Sequence, residues 1–168
     1  MTTTERTVPP LPDRDSETTL EQWAAIVCDE PCDVDLLYVV LVDVARRPCQ
    51  SVIRLRGQPR LPYGRDVGVL ERLLRDQAAA CRARGVVLVW QRAVESDLDD
   101  LAVSTWARGV ADRLARGGLR LHGQVHRSPS GFVPARPLLG ELAEHVLPDG
   151  GEDPRVDPRP VLMRNPHH

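Results

Sequence analysis

The sequence predicts an α/β domain, a mixed β-sheet that opens with an antiparallel hairpin and has helices packed on it. Three observations predict it. The runs LLYVVLVDV (36–44) and VVLVW (86–90) are continuous, apolar and rich in β-branched residues, the pattern of strands buried on both faces. Two long segments, 66–84 and 97–117, repeat apolar residues at helical spacing. The first run is followed, after a short polar break, by a second extended run, so a hairpin precedes helix–strand units and the sheet must be mixed.

Taken in order, residues 1–16 are rich in Thr, Pro, Asp and Arg and read as a disordered arm. A first helix is expected near Thr18, where Thr18 and Glu21 have capping-box spacing and Leu20, Trp23, Ala24 and Val27 share a face. Cys28 to Pro31 ends it. The strand 36–44 follows, then a break at Ala45 to Pro48. CQSVIRLRG (49–57) is a second strand ending at Gly57.

Residues 58–65 form a loop. The helix 66–84 carries Val67, Leu70, Leu74, Ala78 and Cys81 on one face. After the strand 86–90 and the loop 91–96, Ser96 or Asp97 is placed to cap the helix 97–117. Its face is Leu98, Leu101, Ala102, Trp106, Val110 and Leu114, and Gly117-Gly118 stops it. LRLHGQVHR (119–127) alternates as a half-exposed strand does, Ser128 to Gly131 is a turn, and Phe132 and Val133 extend the sheet. PLLGELAEHVL (137–147) is a last short helix, and the Pro-rich stretch 148–168 is a flexible tail. One domain is therefore expected over 17–147.

The bulk properties narrow the function. The 168 residues suffice for one domain of ordinary size. Mean hydropathy is −0.29 and no apolar run approaches a membrane span, so a cytoplasmic chain without membrane contact is expected. A net charge of −2 disfavours a general nucleic-acid binder. All basic residues are Arg, as GC-rich coding produces, so no lysine can serve as a base or form a Schiff base. Cys28, Cys32, Cys49 and Cys81 read as free thiols in a reducing compartment.

The motifs that would carry chemistry are incomplete. A dinucleotide fold needs a Gly-rich turn after a strand, and QRAVES after Trp90 has no glycine. Cys28, Cys32, His122 and His126 are a zinc-type ligand set, but the two histidines, expected on one face of an edge strand, lie about 13 Å apart along it. Ser128 and Ser130 neighbour His126 without a nucleophile elbow, and no spacing singles out Cys49 as a thiol nucleophile. Glu95, Asp97, Asp99 and Asp100 crowd a helix start, where acids complement the helix dipole. No catalytic residue, metal ligand or cofactor is assigned.

The order of elements resembles the JAB/MPN metalloprotease-like domain in its RadC-like bacterial form. The likeness is carried by LLYVVLVDVARRPCQSVIRLRG (36–57), ARGVVLVW (83–90) and SDLDDLAVSTWARGVADRLARGGLRLHG (96–123). That family's chemistry implies a Glu near the hairpin end, a His-x-His and a Ser-x-x-Asp around one zinc. Ser96 and Asp99 match the last element. The Glu position falls at Val52 or Ile53. The His-x-His is absent: the family spacing lands on Val86 and Leu88, and Gln91 and Arg92 follow Trp90.

The resemblance implies a degenerate, non-catalytic member, a pseudoenzyme acting as a protein-interaction, scaffold or regulatory domain. Its partner is another protein or a second copy of itself. The expected interaction surface is Trp90, Gln91, Arg92, Glu95, Asp97, Asp99 and Asp100 with Arg108 on the following helix. The competing expectation is a hydrolase with a Cys/Ser–His site, drawn from Cys49, Ser128 or Ser130 with His122 or His126, or a metal-dependent isopeptidase-like enzyme.

Overall fold

The computed structural model describes residues 8–49 and 52–136. The helix expected over 137–147, the tail beyond it and residues 1–7 lie outside them.

The element order is α1 (Leu20–Val27), β1 (Leu36–Val42), β2 (Ile53–Leu55), α2 (Gly64–Cys81), β3 (Gly85–Gln91), α3 (Asp97–Ala115), β4 (Arg120–Ser128) and β5 (Gly131–Pro134). The strands form one five-stranded sheet in the order β2-β1-β3-β4-β5. The β1/β2, β1/β3 and β4/β5 pairs are antiparallel and β3/β4 is parallel. The mixed sheet and its opening hairpin are as the sequence predicts.

The two apolar runs are the two strands buried along their whole length, because helices cover both faces. Leu37, Val39 and Leu41 of β1 and Val86, Leu88 and Trp90 of β3 meet the apolar stripes of α2 and α3. The alternate residues meet α1: Val40, Val42 and Val87 pack with Trp23 and Val27, and Leu36, Tyr38 and Val89 with Ala24 and Cys28. Trp90 and Trp106 stack with ring centroids 5.5 Å apart, a contact worth about 1 kcal/mol beyond burial.

Four expectations shift. The capping box belongs to Thr19 and Gln22: Gln22 N donates to Thr19 Oγ1 at 3.2 Å and Thr19 N to Gln22 Oε1 at 2.8 Å. Thr18 still belongs to the preceding turn, its amide on Ser16 Oγ. The arm is seated over residues 8–13, where Leu11 is buried among Trp23, Val27 and Val42, its amide bonds Arg46 O, and Trp23 Nε1 bonds Pro9 O. The second strand is shorter, an isolated Val42–Pro48 bridge preceding Ile53–Leu55. β1 ends at Val42 because Asp43 Oδ1 accepts from Ala45 N and Arg47 N, closing a turn with Arg46 left-handed at φ 63°.

The fifth difference bears on function. A β-bulge interrupts β4, where Val86 pairs with Leu121 and Val87 with Gly123. The extra residue is His122. An added Cβ on Gly85 would collide with the His122 imidazole, which places His122 over the α1 face. His126, opposite Trp90, faces α3. The bulge thus sends the two histidines to opposite faces of the sheet, and β4 is an inner strand rather than an edge.

Candidate functional site

In open α/β sheets ligands bind beyond the carboxyl ends of parallel strands. Here those ends are Gln91 of β3 and Ser128 of β4, and Arg92 N continues the ladder to Arg127 O at 2.9 Å. On the α3 side the polar residues interlock. Ser96 is the N-cap of α3, its Oγ accepting from Asp99 N at 3.2 Å and lying 2.5 Å from Asp99 Oδ2. Arg60, from the loop before α2, grips the same carboxylate with both prongs: Nε to Oδ1 at 2.8 Å and Nη2 to Oδ2 at 3.0 Å. Trp106 Nε1 fixes that loop through Pro59 O at 3.0 Å. Burial alone would raise the Asp99 carboxyl, but the Ser96 and Arg60 hydrogen bonds and the charges of Arg60 and Arg92 hold it below the usual carboxylate value.

Arg92 is 2% exposed and lies 3.6 Å from the half-exposed Asp35 carboxylate. Its Nε and Nη2 have no hydrogen-bond partner among the described residues. Burial lowers its pKa against the opposing pull of Asp35 and Asp99. His126 is buried beside it, with Nδ1 3.3 Å from Asp100. Burial lowers its pKa, Asp100 opposes that and Arg92 reinforces it, so the imidazole is neutral near pH 7. Its Nε2 is buried and unpartnered among the described residues, and the residue borders a cleft of about 330 Å³ lined by Val103, Ser104, Val133 and Ala135.

The other side of the same edge is bonded differently. Gln91 is fully buried, donating to Pro31 O and Val34 O and accepting from Arg127 Nη1. Cys32 Sγ donates to Arg92 O at 3.2 Å. Ser128 and Ser130 both donate to Glu95, which holds that exposed carboxyl below its ordinary value.

The expected surface therefore splits. Trp90, Gln91, Arg92 and Asp99 are buried and cannot present a face to a partner. Glu95, Asp97 and Asp100 are exposed and Arg108 is partly so. The sequence reading missed two exposed apolar residues, Val94 just before Glu95 at 60% and Leu98 between Asp97 and Asp99 at 47% exposure. It placed Leu98 on the buried face of the helix, one register step from Ala102. It also missed Arg60, 39 residues from its partner, for which no local pattern exists.

The hydrolase constellations do not assemble. Ser128 and Ser130 bond a glutamate, not a histidine. Burial first, and the neighbouring Cys81 next, push the Cys49 thiol up to about 11. Burial pushes Cys28 up to about 12. Among the described residues no three His, Cys, Asp or Glu side chains gather into a metal-holding group, and no helix is long and apolar enough to cross a membrane. No protein-family model matches the chain, and no curated protein matches it.

Proposed function

We propose that this chain is a non-catalytic interaction domain that offers the segment 93–98 and the first turn of α3 to another protein. One observation carries the reading: Val94 and Leu98 are exposed in the same short segment as the exposed acids Glu95, Asp97 and Asp100. An apolar centre with a charged rim is the ordinary make-up of a protein contact, and the sign of these acids selects a basic partner surface. The buried Asp99 carboxylate is already bonded by Arg60 and Ser96, which favours a platform over a reaction centre. The likeness to JAB/MPN domains fits the same reading. In that sequence likeness Ser96 and Asp99 match the family's Ser-x-x-Asp, and in this chain Arg60 and Arg92 supply the positive charge beside Asp99.

The test compares the wild-type chain with V94D/L98D as immobilised baits in a lysate of the source organism. The reading expects a partner held by the wild type, released by salt and lost from the variant. Identical capture by both baits, with both monomeric in sedimentation, contradicts it. The second reading, a hydrolase, is favoured only by the Asp100–His126 pair at the cleft. It requires hydrolytic turnover that disappears in H126Q.

A further inference from the structure

Cys49 and Cys81 come from distant elements and meet through the sheet register. Val42 bridges Pro48, and Cys49 N donates to Leu41 O at 2.9 Å, so Cys49 lies opposite Leu41 on the neighbouring strand. Residues paired across two strands share a face. Leu41 faces the core under α2, so Cys49 does too. Cys81 is the last residue of α2 and packs against that same core. Three residues later Arg84 N bonds Val42 O at 2.8 Å, tying the end of the helix to the end of β1.

Cys81 is thus the neighbour that acts on the Cys49 thiol, both cysteines are partly exposed, and Cys81 Sγ donates to Ala78 O at 3.8 Å within its own helix. The other two cysteines are engaged elsewhere. Cys28 is buried against Tyr38 and Val125, and Cys32 Sγ bonds a main-chain carbonyl.

We propose that Cys49 and Cys81 are a redox modification site, a thiol pair that a small disulfide such as oxidised glutathione converts to an intramolecular disulfide joining the β1–β2 connection to the end of α2. One cysteine, as its thiolate, attacks a glutathione sulfur. The glutathione S–S bond breaks, one glutathione leaves as thiolate and takes up a proton, and a mixed disulfide remains. The second cysteine, also as thiolate, attacks the protein-side sulfur of that mixed disulfide and expels the second glutathione. Two protein thiols are oxidised by two electrons, one glutathione disulfide is reduced to two thiols, and the two protons pass from the protein thiols to the glutathiones.

The new bond closes a loop of roughly 30 residues, which restricts the unfolded chain. Because the Cys49 thiol is held up, exchange is slow at neutral pH and quickens as the pH rises and thiolate forms.

The full chain is incubated with oxidised glutathione at about pH 9, denatured, alkylated and mapped by peptide mass spectrometry. The expected result is loss of two of the four thiols, a Cys49–Cys81 cross-link that dithiothreitol reverses, and a thermal midpoint raised by at least about 5 °C. In C81S a glutathione adduct persists on Cys49 and the midpoint does not rise. Four alkylated thiols, a Cys28–Cys32 link, cross-links only between chains, or lasting adducts on Cys49 of the wild type would each overturn the proposal. The mapping uses wild-type protein and does not depend on a variant folding.

Discussion

Within the nine residues 92–100, two sets of side chains sit a few ångströms apart and follow opposite rules. Arg92 and Asp99 point inward and are almost fully buried, while Val94 and Leu98 point outward and are about half exposed or more. Charges normally lie outside and large apolar groups inside. The inversion has a physical basis on one side, and on the other it motivates the proposed contact surface. Asp99 tolerates burial because Arg60 meets it with a two-pronged bond, Ser96 caps it and Arg92 lies near. Val94 and Leu98 have no such reason to face solvent, which is why they are read as a contact surface.

The comparison breaks most visibly at Asp99. D99A removes the carboxylate that anchors Arg60 and offsets Arg92, and it should lower stability by about 3 kcal/mol, read as a reduced urea midpoint at unchanged slope. The pH dependence comes next. His126 faces Asp100 and Asp99 on α3, Glu95 in the loop and Arg92 beyond β3, and its folded pKa is lowered. The unfolded chain therefore takes up a proton before the folded one does. Stability is full above about pH 6.5 and declines as the pH falls below it toward the lowered folded value. His122 is also lowered, by burial and then by Arg46 and Arg120, and adds a similar slope. H126Q should flatten part of the thermal-midpoint profile between about pH 5 and 7, and H122Q another part. Asp99 acts only in stronger acid: its contribution is present above the ordinary carboxylate value near 3.9 and is lost as the pH falls through its lowered one.

A smaller effect is expected from R92M. Asp99 keeps Arg60 and Ser96, Asp35 keeps solvent, and the methionine fills the space without buried donors. The urea midpoint should correspond to a change within about 1 kcal/mol. The smallest effect is that of V94D/L98D, within about 0.5 kcal/mol of wild type. If that variant unfolds instead, Val94 and Leu98 serve the fold rather than a partner.

The layers of the fold were legible because they rest on local periodicity. The runs 36–44 and 86–90 are unbroken apolar segments, and Val67, Leu70, Leu74 and Ala78 repeat at helical spacing. Two features escaped. A bulge leaves no mark in an alternating sequence, so the placement of His122 and His126 on one face could not be corrected without the β3/β4 register. The Arg60–Asp99 bond spans 39 residues and depends on Pro59 and Trp106 fixing a loop. Polarity alone suggested that Gln91, Arg92 and Asp99 lay at the surface, and the strand-end pleat and the helix turn instead drive them inward.

The proposed support role rests on Asp99, at the carboxyl end of β3 and β4, being held by Arg60 and Ser96 and offset by the charge of Arg92. Calorimetric titration of zinc into the full chain tests it most directly, with D99A as the comparison. Neither protein is expected to take up zinc stoichiometrically. Uptake of one zinc per chain by the wild type, lost in D99A, would contradict it and return the cluster to the class of metal-dependent reaction centres.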